Sequence, residues 1–311
     1  MLTRTVANSV LAVCLASVTS LPAQTAARID SVPRVISNHV GSFSLVCVRP
    51  AADSVCHPLI TRDRGWETGG VINSDGKLLA YAVATAPLTK SEIWVSHLDG
   101  SGAQRVSGVD EDALLPAFGG DTHTVYYLKS TRLGHSSPIA SERRHNFDVM
   151  SVSLDDTGAP KAQPVQLTRQ QMYDVSSLAI SADGKRFLLS VNRYPKGSVL
   201  EEYDVDKPQH VRATFQPHVK GEVSNGPIFG EAAYARNGQD LVFIAATGGF
   251  DFNYNIYELS ATTGGDIVQL TQGEGIIESF AVDRDGTVFF RRAGHDYRID
   301  PQTHAVSKEA F

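Results

Sequence analysis

Cysteine is scarce in this sequence, with Cys14, Cys47 and Cys56 the only three, too few for a multi-bridge framework or a cysteine-ligated zinc module. Charge of one sign is not concentrated anywhere. Lysine plus arginine number 28 against 34 aspartate plus glutamate, a formal net charge of −6, and no basic tract interleaves with aromatics. That balance speaks against a nucleic-acid partner. No run reaches the roughly 20 mainly apolar residues of a membrane helix, so no membrane span is expected. No stretch of the mature chain keeps a helical apolar period over several turns, so helix is expected to be nearly absent. The G-x-S-x-G turn that presents a nucleophilic serine does not occur. H-E-x-x-H, the P-loop pattern and G-x-G-x-x-G do not occur either.

What is present begins with an export signal. In "MLTRTVANSVLAVCLASVTSLPAQTAAR" Arg4 is the only charge before Arg28, and a short apolar run from Val10 to Val18 ends near Pro22-Ala23. This is the layout of a secretory signal peptide over residues 1–26, which makes the chain exported, periplasmic or extracellular. Cys14 is a poor lipoprotein site because Val13 stands where a small residue is wanted. Export leaves Cys47 and Cys56, in "FSLVCVRPAADSVCHPLI", in an oxidising compartment, and a hairpin would place them opposite each other. A Cys47–Cys56 disulfide is the expectation, and a pair of buried thiols is the alternative.

Residues 35–311 read as one domain built of repeats. "GGVINSDGKLLAYAVAT" from Gly69, "PAFGGDTHTVYYLKST" from Pro116, "LAISADGKRFLLSVN" from Leu178, "AAYARNGQDLVFIAAT" from Ala232 and "FAVDRDGTVFFRRAG" from Phe280 share one plan. Each has a short strand, a turn at Asp75-Gly76, Asp121, Asp183-Gly184, Asn237-Gly238 or Asp285-Gly286, then a strand of aromatic and β-branched residues. Asp-Gly and Asn-Gly suit a two-residue hairpin turn, which needs positive φ. A third strand with an aromatic follows, as in "SEIWVSHLDG" and "NYNIYELSATTGG", and usually a fourth, as in "PVQLTR". The turns step by 46, 62, 54 and 48 residues, close to the period of propeller blades. The fold class is therefore all-β, a β-propeller of four-stranded blades. Six blades are expected and seven are the alternative, with Phe43 to Thr61 supplying the sixth and an N-terminal strand completing the last.

The pattern resembles the WD40-like repeats of TolB-type propellers. It is carried by Ser181-Ala182-Asp183-Gly184-Lys185, by Phe147-Asp148-Val149-Met150 and Asn255-Ile256-Tyr257-Glu258-Leu259, and by Leu167-Thr168 and Leu270-Thr271. It runs from Gly69 to the end and is specific for fold more than for function. The family's periplasmic protein carries an α/β domain before its propeller, and no segment between the signal and Val35 is long enough for one. Related repeats precede a hydrolase domain in prolyl-oligopeptidase-like peptidases, and no such domain follows here, which sets a serine peptidase aside.

Chemistry is harder to read. The loops joining second and third strands, on the usual ligand face of such folds, carry Arg132, His135, Arg143, Arg144 and His145, then Arg193 and Tyr194, then Phe250 and Tyr254, then Arg291, Arg292 and His295. Guanidinium groups on one rim suit carboxylates or phosphates, because the planar fork binds two oxygens at once. The alternative is that these arginines are solvated or paired with the acidic groups Asp110-Glu111-Asp112 and Glu201-Glu202 with Asp204 and Asp206, which also offer oxygens to a hard cation. Trp66 is a further candidate contact. "DFNYN" from Asp251 starts like a calcium loop, but Ile256 stands where the EF-hand needs glycine. The longest insertion, Lys129 to Phe147, is the expected centre of recognition. The expectation is a monomeric, non-catalytic module that binds a protein segment or an anionic small molecule. No cofactor is predicted, and a divalent metal stays open. The rival is a propeller enzyme of lactone-hydrolase or polysaccharide-lyase type, with His145 or His295 as general base or metal ligand.

Overall fold

Five sheets of four strands each form the scaffold of this computed structural model. It describes residues 28–35, 42–49, 57–58, 66–84, 89–135, 142–193, 197–221, 228–235, 238–247, 253–262, 264–282 and 286–308. Residues 1–26, read above as an export signal, and Cys56 lie outside these residues. Among them no α-helix occurs, and no helix is long and apolar enough to cross a membrane.

Three strands, β1 (Arg28–Val35), β2 (Ser42–Arg49) and β3 (His57–Pro58), precede the blades. Blade 1 comprises β4 (Trp66–Ile72), β5 (Leu78–Ala84), β6 (Ser91–His97) and β7 (Gln104–Arg105). Blade 2 comprises β8 (Asp112–Phe118), β9 (Thr124–His135), β10 (Glu142–Ser153) and β11 (Val165–Gln166). Blade 3 comprises β12 (Val175–Ile180), β13 (Arg186–Asn192), β14 (Ser198–Asp204) and β15 (Val211–Phe215). Blade 4 comprises β16 (Phe229–Ala235), β17 (Asp240–Thr247), β18 (Asn253–Ser260) and β19 (Ile267–Gln269). Blade 5 comprises β20 (Ile277–Val282), β21 (Val288–Arg292), β22 (His295–Ile299) and β23 (Val306–Lys308). Every blade is an antiparallel meander in chain order. The first strands β4, β8, β12, β16 and β20 pack successively against one another and so line the axis.

The blade count corrects the expectation of six. The N-terminal segment forms a three-stranded sheet, β1-β2-β3, that packs against β4. It is not a further blade: its third strand pairs over only Cys47↔Pro58 and Val48↔His57, and among the described residues no fourth strand joins it. Nor does the last blade borrow an N-terminal strand, since β23 closes it. No disulfide is seen among the described residues, where Cys47 lies opposite Asp30 and Pro58.

The hydrophobic core lies between blades. Leu78, Ile93 and Val95 of blade 1 meet Val125, Tyr127 and Val152 of blade 2, and Phe187, Leu189 and Tyr203 of blade 3 meet Leu128 and Val149. Equivalent layers join blades 3 and 4 through Leu200 and Phe243, and blades 4 and 5 through Ile256 and Phe290. The middle strands are covered on both faces, which is why β5 and β17 are buried almost throughout rather than alternately. The fourth strands are short and mostly exposed, and β7 and β11 have two residues each. Short edges offer little template for pairing with another chain.

Two sequence signatures have direct physical causes. In the S-x-D-G-K turn the Ser181 hydroxyl donates to Asp183 at 2.6 Å, and the Lys185 amide donates to the same carboxylate at 3.1 Å. The Ser181 hydrogen bond holds the Asp183 carboxyl below the usual carboxylate range. Positive φ falls on Gly76 and Gly184 and not on the preceding aspartates. The connection is thus a four-residue loop, Ala182 to Lys185, with a left-handed glycine in third place, since Ser181 and Arg186 are the last bonded pair, and not the two-residue turn expected. In the L-T signature the Thr168 hydroxyl accepts the Val149 amide at 2.8 Å and donates to Asp148 at 3.0 Å. Thr271 accepts the Ile256 amide at 2.9 Å, and Ser107 does the same for Ile93 at 3.1 Å. The hydroxyl replaces a ladder partner where the fourth strand leaves the third.

Candidate functional site

In an antiparallel meander the first and third strands begin at the end where the second stops. The described candidates therefore share one end of the propeller: Trp66 starts β4, Arg143 to His145 lie near the start of β10, Tyr254 and His295 lie at or near the starts of β18 and β22, and Arg132, Arg193, Arg291 and Arg292 close second strands. Tyr194 and Phe250 lie outside the described residues.

Position on that rim does not make the arginines alike. Arg144 Nε donates to both Asp112 oxygens, at 2.7 and 2.9 Å, and its Nη2 donates to the Thr89 carbonyl. Arg193 clasps Glu201 with two bonds of 2.8 and 2.6 Å, and Arg291 clasps Asp296 with two of 2.8 Å. Arg292 donates to the Tyr254 carbonyl and to Asn255 Oδ1, and burial lowers its pKa. These four fix the rim. The acidic groups are engaged as well: Glu111 accepts from Tyr127, Lys129 and the Gly108 amide, and Glu202 accepts from Arg186, Arg212 and Tyr234.

Arg132, His135 and Arg143 are exposed instead. The segment from Lys129 to Phe147 is not a loose insertion, since strands β9 and β10 continue through much of it. Each has 12 residues, and pairing with β8 ends at Asp112↔Ser130 while β9 and β10 stay paired to His135↔Glu142. A two-stranded ribbon thus stands out from blade 2. At its base His145 is buried and stacks on Tyr173, ring centroids 4.4 Å apart. Its Nδ1 lies 3.1 Å from the Tyr173 carbonyl oxygen and is the donor there, and among the described residues the buried Nε2 meets no hydrogen-bond partner. His295 is exposed in blade 5, opposite Arg292. Among the described residues no group of three or more His, Cys, Asp or Glu side chains could hold a metal ion.

Two residues were not anticipated. Each inner strand carries a register shift near the rim: Thr68/Val71, Leu114/Ala117, Val175/Ser177, Phe229/Ala232 and Ile277/Ser279. Bulges re-aim side chains, and in β12 and β16 they present Ser176, exposed between buried neighbours, and Glu231, exposed between a half-buried glycine and a buried alanine. The visible signal is a lone carboxylate in the otherwise small and apolar "FGEAAYA".

No protein-family model matches this sequence, and no curated protein does. Among solved structures the chain is similar to TolB from Acinetobacter baumannii, at 15% identity and a TM-score of 0.61, over 93% of this chain and 64% of that one. It thus spans less than two thirds of that TolB chain. It is similar to Kuenenia stuttgartiensis hydrazine synthase, at 13% identity and a TM-score of 0.67, over 91% of this chain and 44% of that one. An oligogalacturonate lyase in complex with manganese matches at 12% identity and a TM-score of 0.54, over 85% and 70% of the two chains. At such identities likeness shows the fold, which is the TolB-type β-propeller. Enzymes share that fold, so it assigns no activity.

Proposed function

We propose that the chain is an exported, non-catalytic binding propeller whose rim takes an acidic protein segment. The observation that carries this reading is the ribbon of β9 and β10, which presents Arg132, Leu133, His135 and Arg143 to solvent. Its base is anchored by Arg144 on Asp112, so the exposed cations stand on a rigid support. Export rests on the N-terminal signal, and the Cys47–Cys56 disulfide belongs to the same proposal. Two guanidinium groups with no partner among the described residues, beside an exposed leucine, offer an extended carboxylate-bearing chain both charge and apolar contact.

The test is fluorescence anisotropy with a labelled peptide rich in Asp and Glu, at low and high salt. Binding that weakens with salt and falls at least about tenfold in Arg132→Glu/Arg143→Glu supports the reading. A peptide that fails to bind, or binds the variant equally, removes it. Citrate as competitor separates a peptide site from a small-anion site.

A further inference from the structure

Glu231 lies inside the bulge of β16, where Gly230 and Glu231 together oppose Ile244 of β17. It is exposed, while Phe229, Ala232, Tyr234 and Ala235 around it are buried. The strand is walled by β17 of its own blade, by β12, β13 and β14 of blade 3, and by β20 of blade 5. Glu231 is thus a solvent-exposed carboxylate on an innermost strand. Ser176, in the bulge of β12, comes to the same place: its hydroxyl lies 3.1 Å from the Gly230 carbonyl oxygen and 3.3 Å from that of Phe229. The two bulges are thus joined beside the glutamate.

No hydrogen bond or ion pair among the described residues reaches the Glu231 carboxyl. Desolvation raises its pKa from 4.5 to about 7, and no charge among the described residues contributes. The charged groups on the surrounding strands are engaged elsewhere: Arg186 with Glu202, Glu201 with Arg193, and Asp204 with Arg212. Asp240 stands at the far end of β17, and Glu278 occupies the bulge of β20. Water touches the side chain while the protein crowded around it weakens its hydration, and a carboxylate so placed, with no cation among the described residues, is stabilised by a cation that a ligand brings, because Coulomb attraction is stronger where water is sparse.

We propose that Glu231, with Ser176 beside it, forms a subsite on the propeller axis for an organic cation, an ammonium or guanidinium group. Binding pairs the cation with the ionised carboxylate, and the protonated fraction of Glu231 gives its proton to solvent. This site is separate from the cationic ribbon and does not depend on the rim reading.

The test uses full-length mature protein with carbon-13 in the glutamate carboxyls, titrated by NMR with and without methylguanidinium, the Glu231 signal being assigned by its loss in Glu231→Gln. The expected result is a midpoint near neutrality that falls by about one unit or more at saturating probe. Calorimetry in two buffers then shows proton release near pH 7 in the wild type and neither binding nor release in Glu231→Gln, whose fold is checked by circular dichroism. A midpoint in the ordinary carboxylate range, one that methylguanidinium leaves unmoved, or full binding by Glu231→Gln overturns the proposal. So does a midpoint moved by calcium chloride and not by the organic cation, or loss of binding in Glu278→Gln with none in Glu231→Gln.

Discussion

Thr122 stands at φ 66° in blade 2 where Gly184 stands at 69° in blade 3, each at the left-handed position inside the turn from first to second strand. Gly76, Gly238 and Gly286 hold that position in the other blades, at 75°, 80° and 88°. Only glycine reaches this region without a steric penalty, and a β-branched residue there is strained. Thr122→Gly is expected to stabilise the protein by about 1 kcal/mol, the relief of strain exceeding the glycine's added freedom in the unfolded chain. Urea unfolding measures it, and an unchanged or lower midpoint contradicts the account.

Glu202 is a hub between blades 3 and 4. It is 2% exposed and accepts from Arg186 at 2.9 Å, Arg212 at 3.0 Å and Tyr234 at 3.0 Å. Removing a buried partner leaves the others uncompensated, so Glu202→Ala should cost about 3–5 kcal/mol. Arg212, half exposed, contributes through a solvated contact, and Arg212→Ala should change stability by less than about 1 kcal/mol. Equal losses in the two variants would show that the hub is not what joins the blades.

The repeat is legible in sequence because its determinants are local. The Ser181, Asp183 and Lys185 contacts span a few residues, and the glycine sits inside the same turn. The blade count is not, since "FSLVCVRP" has the composition of a middle strand. Whether it builds a blade depends on partners that composition does not reveal. Of the rim arginines, Arg291 lies directly opposite Asp296 in the β21–β22 pairing, so hairpin register alone could disclose that ion pair. Arg144 finds Asp112 from 32 residues away, across the sheet, which only the assembled blade shows. Ser176 and Glu231 are exposed through bulges, and a bulge leaves no mark in an apolar pattern.

Thr168 tests the physical meaning of the L-T signature. Its hydroxyl is fully buried, taking the Val149 amide at 2.8 Å and meeting Asp148 at 3.0 Å. Thr168→Val keeps the shape and leaves a buried amide without its acceptor, at a cost of about 1–3 kcal/mol. Amide exchange at Val149 should accelerate in the variant. If exchange and denaturant midpoint both stay put, the hydroxyl is not the clamp.

Arg144 and Arg143 are neighbours with opposite duties. Arg144 holds Asp112 at 2.7 Å and is largely shielded, whereas Arg143 is exposed. Arg144→Ala should destabilise by about 1–3 kcal/mol, and Arg143→Ala should stay within about 0.5 kcal/mol of wild type. A matched loss in thermal melts of both variants would mean that the ribbon's outward face also carries fold stability.

Glu231 gives the protein a pH dependence of definite sign. Its carboxyl titrates at about 7 when folded against 4.5 unfolded, because desolvation penalises the charged form. With a raised folded pKa the native state binds the proton more tightly than the unfolded chain does. The group's favourable contribution is therefore complete below about pH 4.5 and lost as pH rises through about 7. Glu231→Gln cannot ionise, so between these values wild type should lose stability relative to the variant, by on the order of 1 kcal/mol once solvent access to the side chain is allowed for. Denaturation of both proteins at pH 5 and pH 8 measures the difference. Parallel profiles would mean that the carboxyl is hydrated as in the unfolded chain, and a variant losing stability faster with rising pH would mean that a cation already pairs with Glu231.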